Sequence, residues 1–280
     1  MKKNMIAILL LLTSVNLFAA QTILIPFIGS ASYEDQNKEA DFQFGIYANI
    51  KDNENTYEIA YEYKNTTYST TQSNTNQNDF TFLYTYDATT SLKFRGALHH
   101  IFSTLKKDNN TFIALAGIEK IKNKNIFGIN ISQSKYNDNS LTNYVHQINP
   151  YFGIYFGKEN SSMGNFYAKI SYDAIYPNGK NEILNDLYSS FTISFTQNKG
   201  KMENSFRYWV GEQLYAVRNN GLTVYNLGDI HNGGFLISTK YKFSKKHIGQ
   251  FSYINEDYKT YGVTTDSNMN RFLLSTTFNF

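Results

Sequence analysis

The sequence contains no cysteine, only three prolines and a single tryptophan among 280 residues. Without thiols there is neither a disulfide framework nor a thiolate metal centre. Beyond the N-terminus, no apolar run reaches the roughly 20 residues that a membrane-spanning helix needs, which argues against a helical membrane protein. The net charge of +3 is too small to leave the electrostatic footprint of a nucleic-acid binder. Outside the first 20 residues no segment carries a helical period, and no linker or repeat of fixed length divides the chain. Aromatics are abundant instead, with 23 Tyr and 22 Phe.

The first twenty residues, MKKNMIAILLLLTSVNLFAA, have Lys2 and Lys3, then an apolar run from Met5 to Leu12, then Ala19 and Ala20. That order of charge, short apolar core and small residues is a secretory signal peptide, with cleavage after Ala19 or Ala20. Two units are therefore expected: a cleaved signal at 1–20 and one domain over 21–280.

The domain is written in period two. In NTYEIAYEYKN, residues 55–65, Tyr57, Ile59, Tyr61 and Tyr63 alternate with Glu58, Ala60, Glu62 and Lys64. The same alternation recurs at Phe80, Phe82, Tyr84 and Tyr86, at Phe191, Ile193 and Phe195, and, more or less clearly, in eleven other stretches. Fourteen segments are expected, the first, sixth and seventh least clearly marked; twelve result if the sixth and seventh are not both membrane strands. Short connections alternate with long polar ones such as 66–78 and 212–231. Short turns on one rim and long loops on the other describe an all-β, antiparallel up-and-down barrel spanning a membrane. A soluble barrel would turn its apolar face inward and use fewer strands.

The ending RFLLSTTFNF, residues 271–280, alternates Phe272, Leu274, Phe278 and Phe280 with polar positions, Thr276 being a weaker match. It resembles the C-terminal assembly signal of Gram-negative outer-membrane β-barrel proteins. In size and strand number the chain resembles monomeric fourteen-strand porins. The resemblance implies residence in the outer membrane of a Gram-negative bacterium and contact with its lipid. It further implies recognition of the last strand by the barrel-assembly machinery, and a monomer or small homo-oligomer. It names no solute, because fold does not fix function.

With apolar faces toward lipid, the inward register assigns Lys64, Lys93, Arg95, Lys169, Arg207, Lys240, Lys242 and Arg271 to the lumen, against Glu58, Glu62, Asp173 and Glu203. Basic groups outnumber acidic ones, and fixed charge biases which ion enters a pore. The expected function is a porin-like channel for passive diffusion of small hydrophilic solutes or ions, weakly anion-preferring, with no cofactor. The bland reading is that these charges only pair and keep the lumen wet. Tyr151, Tyr167 and Trp209 would form an aromatic slide for sugars, although Trp209 is expected near the outer rim. Pro150 is expected to bulge its strand, because proline lacks the ladder donor.

Two other classes stay open. A plugged barrel would act through its loops as an adhesin or receptor, and conductance separates it from a channel. A lipid hydrolase would need a nucleophile with a base in reach. His99 and Ser103 share a strand face but stand roughly 13 Å apart, and Asp229 and His231 have no adjoining serine, so no enzyme is expected. Glu34, Asp35, Glu39 and Asp41 match no calcium-loop spacing, so no metal site is expected.

Overall fold

The computed structural model describes residues 21–34, 38–69, 73–105, 109–136, 144–158, 161–178, 185–224, 229–260 and 266–280. Residues 1–20, expected from the sequence to be a signal peptide, and Asp35 lie outside the described residues.

Fourteen antiparallel strands close into one barrel. In chain order they begin with β1 (Gln21–Tyr33), β2 (Lys38–Asp52), β3 (Asn55–Tyr68), β4 (Thr75–Thr89) and β5 (Leu92–Ser103). Then come β6 (Thr111–Lys122), β7 (Asn125–Lys135), β8 (Tyr144–Gly157), β9 (Asn165–Asn178), β10 (Tyr188–Lys199) and β11 (Met202–Leu214). Two short strands, β12 (Val217–Arg218) and β13 (Thr223–Val224), pair only with each other. The wall resumes with β14 (Asp229–Lys242), β15 (His247–Thr260) and β16 (Ser267–Asn279). β11 pairs directly with β14, and β16 closes on β1. Closure leaves no unpaired edge, which a barrel in lipid requires.

Wall strands of 11 to 15 residues are long enough to cross the hydrocarbon, which takes about 9–11. Tight connections at 53–54, 123–124 and 200–201 carry left-handed Asn53, Asn123 and Gly200. Such positive φ angles match the twist of two-residue hairpins.

The outward face is apolar. Ile170, Ile193 and Leu274 are 54%, 55% and 56% exposed. Aromatic pairs cluster toward strand ends, among them Tyr57–Tyr84 at 5.4 Å, Phe156–Phe166 at 5.3 Å and Tyr172–Phe191 at 4.8 Å between ring centroids. Aliphatic middles with aromatic ends suit a bilayer and its two interfaces. Toward the long-loop rim the outward residues turn polar. Asn65 and Asn76 share a hydrogen bond of 2.8 Å, and Asn255 donates to Asn268 and Asn270 at 2.9 and 3.0 Å.

The weakly marked segments have a physical reason. β1 places Phe27 inward, where its ring covers Gly45; a Cβ there would lie 2.4 Å from that ring. β6 turns Ile113 and Leu115 inward, both buried, while Phe112 and Ile118 face out. Both faces are then apolar and the alternation fades. Pro150 does not bulge its strand: the pairs Ile148↔Ala174 and Tyr151↔Ser171 on either side keep one register. The register shifts lie elsewhere, as at Val210/Gln213 and His231/Gly233.

Candidate functional site: a divided lumen

After β11 the chain turns into the barrel over residues 215–224 instead of forming an outer loop there. The register shift after Val210 and the left-handed Gly211 (φ 108°) begin the departure. A side chain at Gly211 would put its Cβ 2.4 Å from the Ser189 carbonyl oxygen. Tyr215 is left-handed too (φ 56°), a rare state for an aromatic residue. Then β12 and β13 form a small hairpin whose tip, Asn219–Asn220–Gly221, is left-handed throughout. Asn and Gly tolerate that conformation best.

This strap is anchored at its root and at its tip. At the root, Leu214, Tyr215 and Ala216 are buried with Tyr136, Val145, Ile175, Tyr188 and Ile230. The Tyr136 and Tyr215 rings lie 4.3 Å apart. At the far wall, Val217 packs with Leu83, Ala97, Ile101, Ile113 and Leu115 of β4–β6. Polar bonds fix the hairpin between them. Val217 exchanges two hydrogen bonds with the Gln147 side chain. Arg95 Nη1 donates to Asn220 Oδ1 at 3.2 Å, and Arg207 Nη1 donates to Asn219 Oδ1 at 3.0 Å. The Arg218 guanidinium lies 4.6 Å from the centre of the Trp209 ring system.

The strap divides the lumen without filling it. A cavity of ≈ 390 Å³ lies toward β1–β4 and β14–β16, and one of ≈ 300 Å³ toward β6–β10. Arg207, Arg218, Asn219 and Leu222 border both.

The charged residues singled out in the sequence fall in several settings. Glu62, Lys64, Arg207 and Arg271 border the larger cavity; Lys169 and Arg207 border the smaller. Arg271 reaches Asp41 at 2.7 Å, and Asp41 also accepts from the Tyr33 hydroxyl at 2.6 Å. Lys240 pairs with Glu203 at 2.7 Å, Arg95 with Glu119 at 3.8 Å, and Lys93 with Asp87 at 3.2 Å. Glu58 accepts a short bond from the Tyr47 hydroxyl. Lys242 is exposed beside a tight turn. Reading the sequence did not single out Lys38, which pairs with Asp229 in the outer lumen. Nor did it pair His231 with Glu256, at 3.2 Å.

The three aromatics do not make a continuous slide. Trp209 is 2% exposed, in mid-strand and not at the outer rim, and Arg218 covers it. Tyr151 donates to Glu119 at 2.8 Å and carries the Lys169 ammonium 4.0 Å above its ring. Tyr167 packs against Tyr155 at 4.6 Å. His99 Nδ1 meets Thr81 Oγ1 at 2.7 Å, not a serine. A Ser–His contact does occur, Ser244 Oγ to His247 Nδ1 at 3.2 Å. That serine oxygen also accepts the backbone N–H groups of Lys246 and His247, so it shapes an exposed turn. Among the described residues no group of three His, Cys, Asp or Glu side chains is arranged to hold a metal ion.

No family model matches the sequence, and no curated protein matches it. Solved structures do. The "CymD monoaromatic hydrocarbon channel" shares 11% identity over 93% of this chain and 88% of its own, with a TM-score of 0.55. The toluene transporter TbuX of Ralstonia pickettii shares 7% identity over 93% and 89%, with a TM-score of 0.55. A bacterial polysaccharide outer membrane secretin shares 11% over 92% and 98%, with a TM-score of 0.56. At these identities the likeness establishes the fold, a barrel of the outer-membrane type.

Proposed function

We propose that the protein is an outer-membrane channel through which small hydrophilic solutes diffuse passively, with a weak preference for anions. The carrying observation is the contrast between an apolar outer wall and a charged lumen that the strap divides but leaves hollow. Selection follows from the width left beside the strap and from the fixed charges facing it. The inward set expected from the sequence, Glu58, Glu62, Lys64, Lys93, Arg95, Lys169, Arg207, Lys240, Lys242 and Arg271, supplies those charges. Its basic excess is the source of the anion preference. The fold's likeness to channels of the outer membrane supports the reading. In this account residues 1–20 direct export, and Phe272, Leu274, Phe278 and Phe280 present the last strand to the barrel-assembly machinery.

A closed barrel acting through its outer loops is the second reading, favoured by the buried contacts that hold the strap across the bore. Swelling of protein-loaded liposomes separates the two. A channel lets small sugars and amino acids equilibrate at rates that fall with solute size. Liposomes carrying folded protein that swell no faster than empty ones would overturn the channel.

A further inference from the structure

In the larger cavity two adjoining rows of side chains meet over glycines. In one row the register runs Phe27, Gly45, Glu62 and Asp79 across β1–β4. The next row toward the long-loop rim runs Leu273, Gly29, Gln43 and Lys64 across β16 and β1–β3. A Cβ at Gly45 would stand 2.4 Å from the Phe27 ring, and one at Gly29 would stand 2.4 Å from Leu273 and 3.2 Å from Gln43. Each glycine therefore lets an apolar side chain lie beside a polar one. Phe27, Leu273, Gln43, Glu62, Lys64 and Asp79 all line the cavity.

The polar half of this floor lacks partners. Gln43 is 4% exposed, and its amide oxygen is buried with no hydrogen-bond partner among the described residues. Buried polar groups are as a rule hydrogen-bonded, so the exception calls for a partner. Glu62 accepts no hydrogen bond and forms no ion pair among the described residues, although Lys64 and Arg271 attract it through space. Arg271 is itself paired with Asp41. Lys64 likewise forms no ion pair there. Asp79 accepts only from the Gln77 amide, at 2.9 and 2.8 Å. Glu62 and Asp79 are direct cross-strand partners, a placement in which like charges repel. A cation between the two carboxylates, joined to an anion at Lys64, would satisfy all three.

We propose that this floor binds α-amino acids with apolar side chains. The ammonium group lies between Glu62 and Asp79, and the carboxylate faces Lys64. Glu62 and Lys64 stand on one face of β3, about 7 Å apart along the strand, so a solute with its two charges on neighbouring groups reaches both. The Gln43 amide, which can donate and accept, bonds the solute between them. The side chain rests on Phe27 and Leu273, and the apolar wall continues through Ile25, Leu236 and Ile254. A zwitterion carries no net charge, so a basic excess in the lumen does not oppose its entry. The volume of ≈ 390 Å³ falls within the roughly 300–1,000 Å³ typical of ligand pockets. The site rests on the channel reading, to which it adds a solute class, and it has its own readout.

The protein refolded in detergent is titrated with leucine by calorimetry. Three analogues each remove one recognised feature: isoamylamine lacks the carboxylate, isocaproate lacks the ammonium group, and glycine lacks the apolar side chain. Leucine is expected to saturate the site, and each analogue to bind about tenfold or more weaker. Glu62→Gln and Gln43→Leu are each expected to weaken leucine while the gel mobility and circular dichroism of the folded barrel stay unchanged. Glu62→Gln removes a like-charge contact, so its fold is not at risk. Lys64→Gln is expected to weaken leucine without weakening isoamylamine, because only the carboxylate loses its partner. The site is overturned if calorimetry detects no leucine binding, or if any analogue binds as well as leucine. It is also overturned if folded Glu62→Gln binds leucine like the parent, or if Lys64→Gln leaves the ratio of leucine to isoamylamine unchanged. Binding without conductance would keep the site and remove the channel; conductance without binding would do the reverse.

Discussion

Arg271 of the last strand and Asp41 of the second form a 2.7 Å ion pair across the strand that separates them. Both are register partners of Ala31 on β1. A small side chain at Ala31 leaves room for the bridge, so the seam where the barrel closes is tied over its first strand. Arg271→Ala should leave the buried Asp41 carboxylate without its cation, a loss of about 3–5 kcal/mol for a broken buried pair. Urea unfolding of the refolded barrel checks this. Adding Asp41→Asn should restore part of the loss; a double variant no better than the single one would contradict the seam.

The strap hangs on Gln147. Its amide donates to the Val217 carbonyl at 3.0 Å and its oxygen accepts the Val217 N–H at 2.7 Å. Gln147→Leu leaves two buried backbone groups unpaired, each at a cost of about 1–3 kcal/mol. The expected result is a noisier single-channel current with the barrel intact. Replacing 216–224 by a short Gly-Ser linker should raise conductance by about twofold or more, because a wider bore passes more ions. Unchanged current in the linker variant would show that the strap does not narrow the path.

The lipid face is tested within one strand. Ile193 points outward and is 55% exposed, whereas Thr196 on the same strand bonds inward to Ser205 at 3.1 Å. Ile193→Arg should cost about 2–4 kcal/mol in bilayers, and Thr196→Arg much less. Folding titrations in liposomes compare them; equal costs would contradict the assigned faces.

The barrel itself was legible in the sequence because the pleat writes its two faces as alternating letters. Tyr57, Ile59, Tyr61 and Tyr63 stand on one side of β3, with Glu58, Glu62 and Lys64 on the other. The strap was not legible by that means, since two-residue strands carry no period. A local signal existed: Asn219–Asn220–Gly221 between Val217 and Val224 is the composition of a tight hairpin. The expectation of a long polar outer loop at 212–231 gave way because Leu214–Val217 is an apolar run that buries itself inside the mouth. The same strap explains why β6 alternated poorly, as its inner face receives Val217. Partners such as Lys38 and Asp229 are 191 residues apart, and only the closed ring brings them together.

Phe280 is 72% exposed, and its backbone N–H donates to the Thr22 carbonyl at 2.9 Å. The ring contributes little packing, so Phe280→Ser should change refolded stability by less than about 0.5 kcal/mol. If the residue is read during assembly, the same variant should sharply lower the amount of folded barrel in outer membranes. Heat-modifiable gel mobility measures both quantities. An unchanged cellular yield would contradict the assembly role.

The most direct test of the channel and its charged lumen is single-channel recording of the refolded protein in a planar bilayer under a KCl gradient. The account predicts stable conductance steps and a reversal potential shifted toward chloride. Cation preference would keep the channel but contradict the basic lumen; no conductance from correctly folded protein would contradict the channel itself.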